Sequence, residues 1–250
     1  MLALGIDIGG SGIKGAVVDT ETGTFLSERV RIPTPAPATA DAVLDTLRAL
    51  IDELGFKDGP VGVGFPGVIR HGTIETAVNL ENCLIGLNLA KALGDMGFNQ
   101  VRVLNDADAA GFAEVELGAG RPYVEEGTVF VLTVGTGIGT ALFVDGTLVP
   151  NLELGHVEFK KRHAESYLSE RARKRDAISW KEWGIRFSGF LGYMEDLLRP
   201  DLIILGGGGV KNPDNFEQYL NTRTPIEFAK AGNRAGIIGA ALSACHSQPG

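Results

Sequence analysis

Asp7-Ile8-Gly9-Gly10-Ser11-Gly12-Ile13-Lys14-Gly15-Ala16-Val17-Val18-Asp19 is the stretch on which the fold of this chain turns. Residues 10–15 match the pattern G-x-G-x-x-G. A dinucleotide fingerprint needs a helix straight after such a loop. Here Val17-Val18 is β-branched and runs into the turn residues Asp19-Thr20-Glu21-Thr22-Gly23, so the loop joins two strands and the Rossmann reading fails. The chain also holds no G-x-x-x-x-G-K-[ST] phosphate loop. What remains is an aspartate at a strand end, a run of backbone N–H groups and a lysine. That set suits a phosphate held by N–H donors, with Asp7 organising Mg²⁺ or its waters.

The same pattern returns further along. Thr133-Val134-Gly135 through Val144-Asp145 repeats Asp7-Ile8-Gly9 through Val18-Asp19 at a constant offset of 126 residues. Each copy reads as strand, glycine turn, strand, aspartate. A duplicated βββ-α unit with two facing phosphate loops, and so a cleft between two lobes, is the expectation. A chance likeness of two glycine hairpins is the alternative. Glycine is the outlier of the composition, at 35 of 250 residues, gathered at residues 9–12, 62–67, 135–139 and 206–209. Each cluster follows a short apolar run. Either these are tight turns, or the backbone approaches a phosphate there.

Between these loops the periodicity predicts further elements. Residues 24–32 read as a third strand, residues 33–37 as an extended proline linker, and residues 39–54 as a helix. Strands are expected at 61–65, 101–104 and 202–205, and a hairpin at 128–134 and 139–144. Helices are expected at 107–117, with Asn105 or Asp106 as N-cap, and at 166–174, 180–198 and 233–246. Trp180 and Trp183 sit three apart and read as core packing.

Composition removes several classes. A net charge of −8 excludes a generally basic protein that coats nucleic acid. The first residues carry no basic run and meet an aspartate at position 7, which argues against a secretory signal. Residues 127–144 are uncharged and long enough to consider as a membrane span. Their four glycines and four threonines favour a buried hairpin. Two cysteines, Cys83 and Cys245, cannot build a disulfide framework or a four-cysteine zinc site. The expectation is a soluble, reduced, cytoplasmic protein with neither a membrane nor a nucleic-acid partner.

Five motifs in order, 7–14 (Asp-Ile-Gly-Gly-Ser-Gly-Ile-Lys), 64–67 (Gly-Phe-Pro-Gly), 105–107 (Asn-Asp-Ala), 133–139 (Thr-Val-Gly-Thr-Gly-Ile-Gly) and 153–156 (Glu-Leu-Gly-His), resemble the ROK sugar kinases and cover nearly the whole chain. Ser169-Glu-Arg-Ala-Arg-Lys-Arg175 followed by Ser179-Trp-Lys-Glu-Trp183 resembles the polyphosphate-using glucokinase branch of that family. The resemblance implies an α/β, actin-like (hexokinase/Hsp70-type) two-lobed fold with duplicated βββ-α units around a central cleft. It places residues 1–105 with 234–250 in a small lobe and residues 106–233 in a large one.

It also implies roles. Asp106 matches the catalytic base that takes the proton of the sugar 6-hydroxyl; a helix cap is the structural alternative for this residue. Gly67, Asn105, Asp106 itself, Glu153, His156 and Glu165 match sugar contacts, with Glu158 ranked below them. Asp7, Gly9, Gly10, Ser11, Gly12, Lys14, Thr133, Gly135, Thr136 and Gly137 match the phosphate loops. Gly206, Gly207 and Gly208 match a nucleotide-side turn, or a retained scaffold turn. Many members of the family carry a cysteine-rich zinc loop after the histidine; residues 157–164 hold no cysteine, so no zinc site is expected there.

Residues 160–176 carry seven Lys/Arg against three Asp/Glu in an otherwise acidic chain. They read either as a solvated helix face with i,i+4 pairs or as a track for a long polyanion. On the second reading Lys160, Lys161, Arg171, Arg173, Lys174 and Arg175 hold polyphosphate. The function implied is phosphoryl transfer from polyphosphate, and from ATP, to the 6-hydroxyl of glucose with Mg²⁺, by a homodimer. The alternatives are a strictly ATP-dependent glucokinase, a hexokinase that also takes mannose, a sugar-responsive regulator and an actin-like filament subunit. The absence of room for a helix-turn-helix before Asp7 argues against the regulator.

Overall fold

The computed structural model describes residues 1–77, 80 and 82–246. Contacts divide the chain into two units, Met1–Ala113 with Arg234–Gly250, and Glu114–Asn233. Residues 247–250, which the sequence reading put at the end of the first lobe, lie outside the described residues.

In the first unit, β1 (Leu2–Gly9) and β2 (Gly12–Asp19) form an antiparallel hairpin in which Gly9 faces Gly12. The third expected strand divides into β3 (Thr24–Phe25) and β4 (Val30–Ile32), both paired with β2. Helix α1 (Ala40–Glu53) starts at Thr39, whose Oγ1 accepts the N–H of Ala42. It buries Val43, Leu47, Leu50 and Ile51, one stripe at helical spacing. Strand β5 (Val61–Phe65) is followed by a small hairpin, β6 (Ile69–Arg70) and β7 (Thr73–Ile74), and by α2 (Leu89–Asp95), which the sequence reading did not predict. Strand β8 (Val101–Asn105) leads straight into α3 (Asp106–Glu116).

In the second unit, β9 (Thr128–Val134) and β10 (Ile138–Val144) form the second hairpin, extended by β11 (Thr147–Val149). A two-stranded hairpin follows, β12 (Glu158–Phe159) and β13 (Arg162–His163). Helices α4 (Ala164–Leu168), α5 (Glu170–Arg175) and α6 (Trp180–Leu198) come next, then β14 (Leu202–Gly206) and β15 (Ile226–Phe228). Helix α7 (Ala235–Cys245) returns to the first unit.

The repeat seen in the sequence is a repeat of sheets. The first unit orders its strands β3-β2-β1-β5-β8 and the second β11-β10-β9-β14-β15. In both, the hairpin is antiparallel and the strands beyond it are parallel. The offset of 126 carries the first residue of β2 onto the first residue of β10 (12 + 126 = 138). The uncharged stretch at 127–144 is this second hairpin, and no described helix is long and apolar enough to cross a membrane.

Each unit has its own core. In the first, α7 lies directly on β1 and β5, and a Cβ on Gly62 would sit 1.7 Å from the carbonyl oxygen of Ala240, so only glycine admits the helix there. In the second, α6 buries Trp183, Phe187, Phe190, Leu191 and Met194 among Phe130, Leu132, Ile203 and Leu205. The indole N–H of Trp183 donates to the carbonyl of Leu168 at 2.6 Å, which satisfies its one polar atom. Truncating such a residue to alanine costs about 3–5 kcal/mol.

One expected helix is broken. The run at 166–174 divides at Ser169, which is extended at φ −61°, ψ 160° and caps α5 by accepting the N–H of Ala172 at 3.1 Å. Serine competes with the helical backbone for its own hydrogen bonds and so favours a cap over a helix interior. The N–H of Glu170 then donates to the carbonyl of Gly135 at 3.0 Å, tying the start of α5 to the second glycine loop.

Candidate active site

In the first unit the candidate residues gather at the carboxyl ends of three parallel strands, β1, β5 and β8. Asp7 lies opposite Gly64, and Phe65 opposite Asn105, in the sheet register. This is where open parallel sheets place their ligands. Asp7 also faces Lys14 across the hairpin, and its Oδ2 accepts Lys14 Nζ at 2.9 Å. The two charges expected to serve phosphate and metal thus hold each other while both remain partly exposed.

The turn made by Gly9, Gly10, Ser11 and Gly12 is steadied by two side chains the sequence reading missed. Arg31 donates through Nη2 to the carbonyl of Ser11 at 2.8 Å, and Thr34 Oγ1 donates to the carbonyl of Gly9. Arg31 comes within reach because β4 pairs Arg31 with Lys14. No local motif announces that pairing; it follows from the sheet register alone.

Asn105 settles the cap of α3. Its Oδ1 accepts the N–H of Ala107 at 2.8 Å, and its Nδ2 donates to the carbonyl of Gly67 at 3.1 Å. Asn105 is buried, whereas Asp106, the first residue of α3, is exposed. The sequence alone allows either residue as the cap.

In the second unit the equivalent strand ends are those of β9 and β14, where Thr133 lies opposite Gly206. The loop Gly135-Thr136-Gly137 is closed by the N–H of Gly135 donating to the carbonyl of Gly137 at 2.9 Å. Gly207, at φ +86°, lies against the backbone of Val134, whereas a Cβ on Gly208 would meet open space. The turn is therefore part scaffold and part accessible backbone.

Glu153, His156 and Glu165 come together. His156 Nδ1 is 3.7 Å from Glu153 Oε2, and His156 Nε2 is 3.8 Å from Glu165 Oε1. All three side chains are about one-third to one-half exposed, so the cluster is open to a ligand. The other carboxylate oxygen of Glu165 accepts the N–H of Ile138 at 3.4 Å, so Glu165 links the glycine loop to the histidine. The ring of His163 lies 5.9 Å from that of His156, centre to centre, brought back by the β12–β13 hairpin. Glu158, opposite His163 in that hairpin, belongs to neither ion pair.

The basic residues fare unequally. Lys174 pairs with Glu170 at 2.6 Å and Arg175 with Asp176 at 2.7 Å. Arg173 lies over Trp180, its guanidinium carbon 3.8 Å from the ring centre. The hydrogen bond from Arg175 is the chief reason that the Asp176 carboxyl is held below the usual carboxylate range, with the charges of Arg175, Arg186 and Arg162 adding to it. Lys160, Lys161 and Arg171 are exposed and make no ion pair among the described residues.

The family model for ROK proteins matches residues 3–172. The chain belongs to the ROK family. This ROK chain is 42% identical over 240 residues to the polyphosphate glucokinase of Mycobacterium tuberculosis (strain CDC 1551 / Oshkosh), spanning 96% of this chain and 89% of that protein. It superimposes on the inorganic polyphosphate/ATP-glucomannokinase from Arthrobacter sp. strain KM with a TM-score of 0.87 at 44% identity, over 97% of this chain and 98% of that one. It also matches a ROK family glucokinase from Streptomyces griseus, solved in complex with glucose and AMPPNP, with a TM-score of 0.79 at 25% identity, over 96% and 98% of the two chains. The fold is the actin-like, two-lobed α/β fold of ROK sugar kinases.

Proposed function

We propose that this ROK protein is a kinase that transfers the terminal phosphoryl group of inorganic polyphosphate, and also of ATP, to the 6-hydroxyl of glucose. The observation that carries the reading is the division of labour at the start of α3: buried Asn105 takes the cap, and the next residue is the exposed carboxylate of Asp106. The donor assignment is supported by the 42% and 44% identities to proteins named for polyphosphate.

Asp106 accepts the proton of the glucose 6-hydroxyl as that oxygen attacks the terminal phosphorus. The bond from phosphorus to the bridging oxygen breaks, and the donor leaves one phosphate shorter. Glu153, His156 and Glu165 serve as acceptors and donors for the sugar hydroxyls, with Asn105 and Gly67. The glycine loops at 9–12 and 135–137 hold donor phosphates through backbone N–H groups, with Thr133, Thr136 and Lys14 beside them. Gly206, Gly207 and Gly208 border the nucleotide when ATP is the donor. Lys160, Lys161, Arg171, Arg173, Lys174 and Arg175 form the polyphosphate track.

Mg²⁺ belongs to this reading. Asp7 is a partly exposed carboxylate at a strand end, and no cluster of three His, Cys, Asp or Glu side chains suited to a metal occurs among the described residues. A single carboxylate fits Mg²⁺, which keeps most of its waters and shares substrate phosphates. When bound, the ion neutralises charge on the donor phosphates. The reading also includes a homodimer in the cytoplasm. Exposed Ile185, Tyr193 and Leu197 along α6 supply an apolar stripe for a second copy.

The test is glucose phosphorylation measured side by side with ATP and with polyphosphates of several lengths. Turnover with both donors is expected. Turnover with ATP alone would establish a strictly ATP-dependent kinase, and mannose as a second acceptor would widen its sugar range.

A further inference from the structure

The β12–β13 hairpin closes with a two-residue turn, Lys160-Lys161, between the pairs Glu158↔His163 and Phe159↔Arg162. Both lysines are left-handed, at φ 54° and 64°. That is the backbone of a type I′ turn, whose favoured sequences are Asn-Gly and Gly-Gly. A side chain with a Cβ is crowded in this region, and lysine has no short polar arm to offset the strain with a local hydrogen bond. Local geometry therefore argues against lysine at both positions. Strain kept at an exposed site in spite of a better local choice points to a use for the side chains.

The charges point the same way. Much of the positive charge of α5 is already spent, on Glu170, on Asp176 and on the face of Trp180. Arg171 is the one cation of α5 with neither an ion pair nor an aromatic face among the described residues, whereas the tip of the hairpin carries two cations without an ion pair in succession. Lys160 Nζ lies 5.8 Å from the centre of the Phe159 ring, and neither lysine has a carboxylate partner among the described residues. Two lysines in succession put two positive charges on one turn, and both gain from an anion long enough to meet each of them. A single carboxylate brings one negative charge; a linear chain of phosphates presents a charge at every repeat.

We infer that Lys160 and Lys161 are the donor-selecting residues of this kinase, holding the part of a long polyphosphate that lies beyond the reacting end. The inference rests on the proposed use of polyphosphate as donor. It assigns donor choice to the hairpin tip, with the paired cations of α5 in a supporting part. ATP, with three phosphates, gains less from the tip than a long chain does.

The test is the double variant Lys160→Asn/Lys161→Gly, which removes both charges and installs the sequence that a type I′ turn prefers. Thermal midpoint, kcat/KM for ATP, and kcat/KM for polyphosphates of increasing length are measured for the variant and the parent. The expected result is a thermal midpoint no lower than that of the parent. The loss of kcat/KM for long polyphosphate should exceed the loss for ATP by about tenfold or more, growing with chain length. The slope of log kcat/KM for polyphosphate against log salt should also flatten by about one to two. Equal losses with both donors, or polyphosphate kinetics and salt slope equal to those of the parent, would overturn the inference. Should the variant fold poorly, Lys160→Gln/Lys161→Gln is read by the same ratio. A parent enzyme that does not use polyphosphate at all would instead overturn the donor reading, and this inference with it.

Discussion

The side-chain amide of Asn105 donates to the carbonyl oxygen of Gly67 at 3.1 Å, which fixes the loop after β5 to the start of α3. The same side chain accepts the N–H of Ala107 at 2.8 Å. One buried residue thus sets both the cap of the helix and the position from which Asp106 projects.

Asp106→Ala is therefore expected to keep the fold, because Asn105 still caps α3. Losing a general base lowers kcat by about 10²–10⁴. Glucose binding, followed by calorimetry, should stay within about threefold of the parent. Turnover close to the parent's would remove Asp106 from the role of base.

Gly137→Ala should report on the sugar site from a distance. A Cβ at this position would fall 2.5 Å from Oε2 of Glu165, so the carboxylate has to move. Its other oxygen is the one near His156. The expected result is a rise in the KM for glucose of about tenfold, equivalent to about 1.4 kcal/mol. A KM for glucose that stays the same with a raised donor KM would mean that the loop, and not Glu165, bears the effect.

Arg31→Ala tests the first glycine turn. The guanidinium donates to the carbonyl of Ser11 and lies within 2.9 Å of where a Cβ on Gly12 would stand. A hydrogen bond from a charged donor contributes about 1.5–3 kcal/mol, so the KM for the phosphoryl donor should rise by about tenfold or more. ATP and polyphosphate should suffer alike, in contrast to the effect expected at the hairpin lysines. An effect confined to polyphosphate would assign Arg31 to the polyanion track.

Asp176 gives a prediction with pH. Its carboxyl is held below its ordinary value of 3.8, first by the hydrogen bond from Arg175 and then by the charges of Arg175, Arg186 and Arg162. The unfolded chain binds the proton more tightly than the folded one. The stabilisation is thus present above the ordinary value and is lost as the pH falls through the lowered one. Asp176→Asn should lower the thermal midpoint slightly at pH 7, with a gap from the parent that closes below about pH 4. The site is exposed, so the gap is small and shrinks with salt. A gap that widens on acidification would contradict the assignment.

Much of this was legible in the residues. The glycine turns, the β-branched runs beside them and the offset of 126 named both hairpins, and the structure sets them in sheets of matching order. The periodicity of α1 and α6 was equally plain, since each buries one stripe. Local signals failed where a distant partner decided. Residues 166–174 read as one helix, and the break at Ser169 goes with the bond from Glu170 to Gly135, 35 residues away (170 − 135). Arg31 carried no motif, and only the pairing of β4 with β2 sets it on the turn.

What the chain determines by itself is the class of its elements and the chemistry it can offer. Apolar period and glycine placement depend on neighbours within a few residues, and the side chains present bound the available acids, bases and donors. Tertiary structure alone decided which charges are already spent and which are presented. Seven cations in one segment look alike in sequence, yet Lys174 and Arg175 meet carboxylates while Lys160 and Lys161 stand at a turn tip. Electrostatic pairing acts over a few ångströms in space, and the folded path of the chain sets those distances.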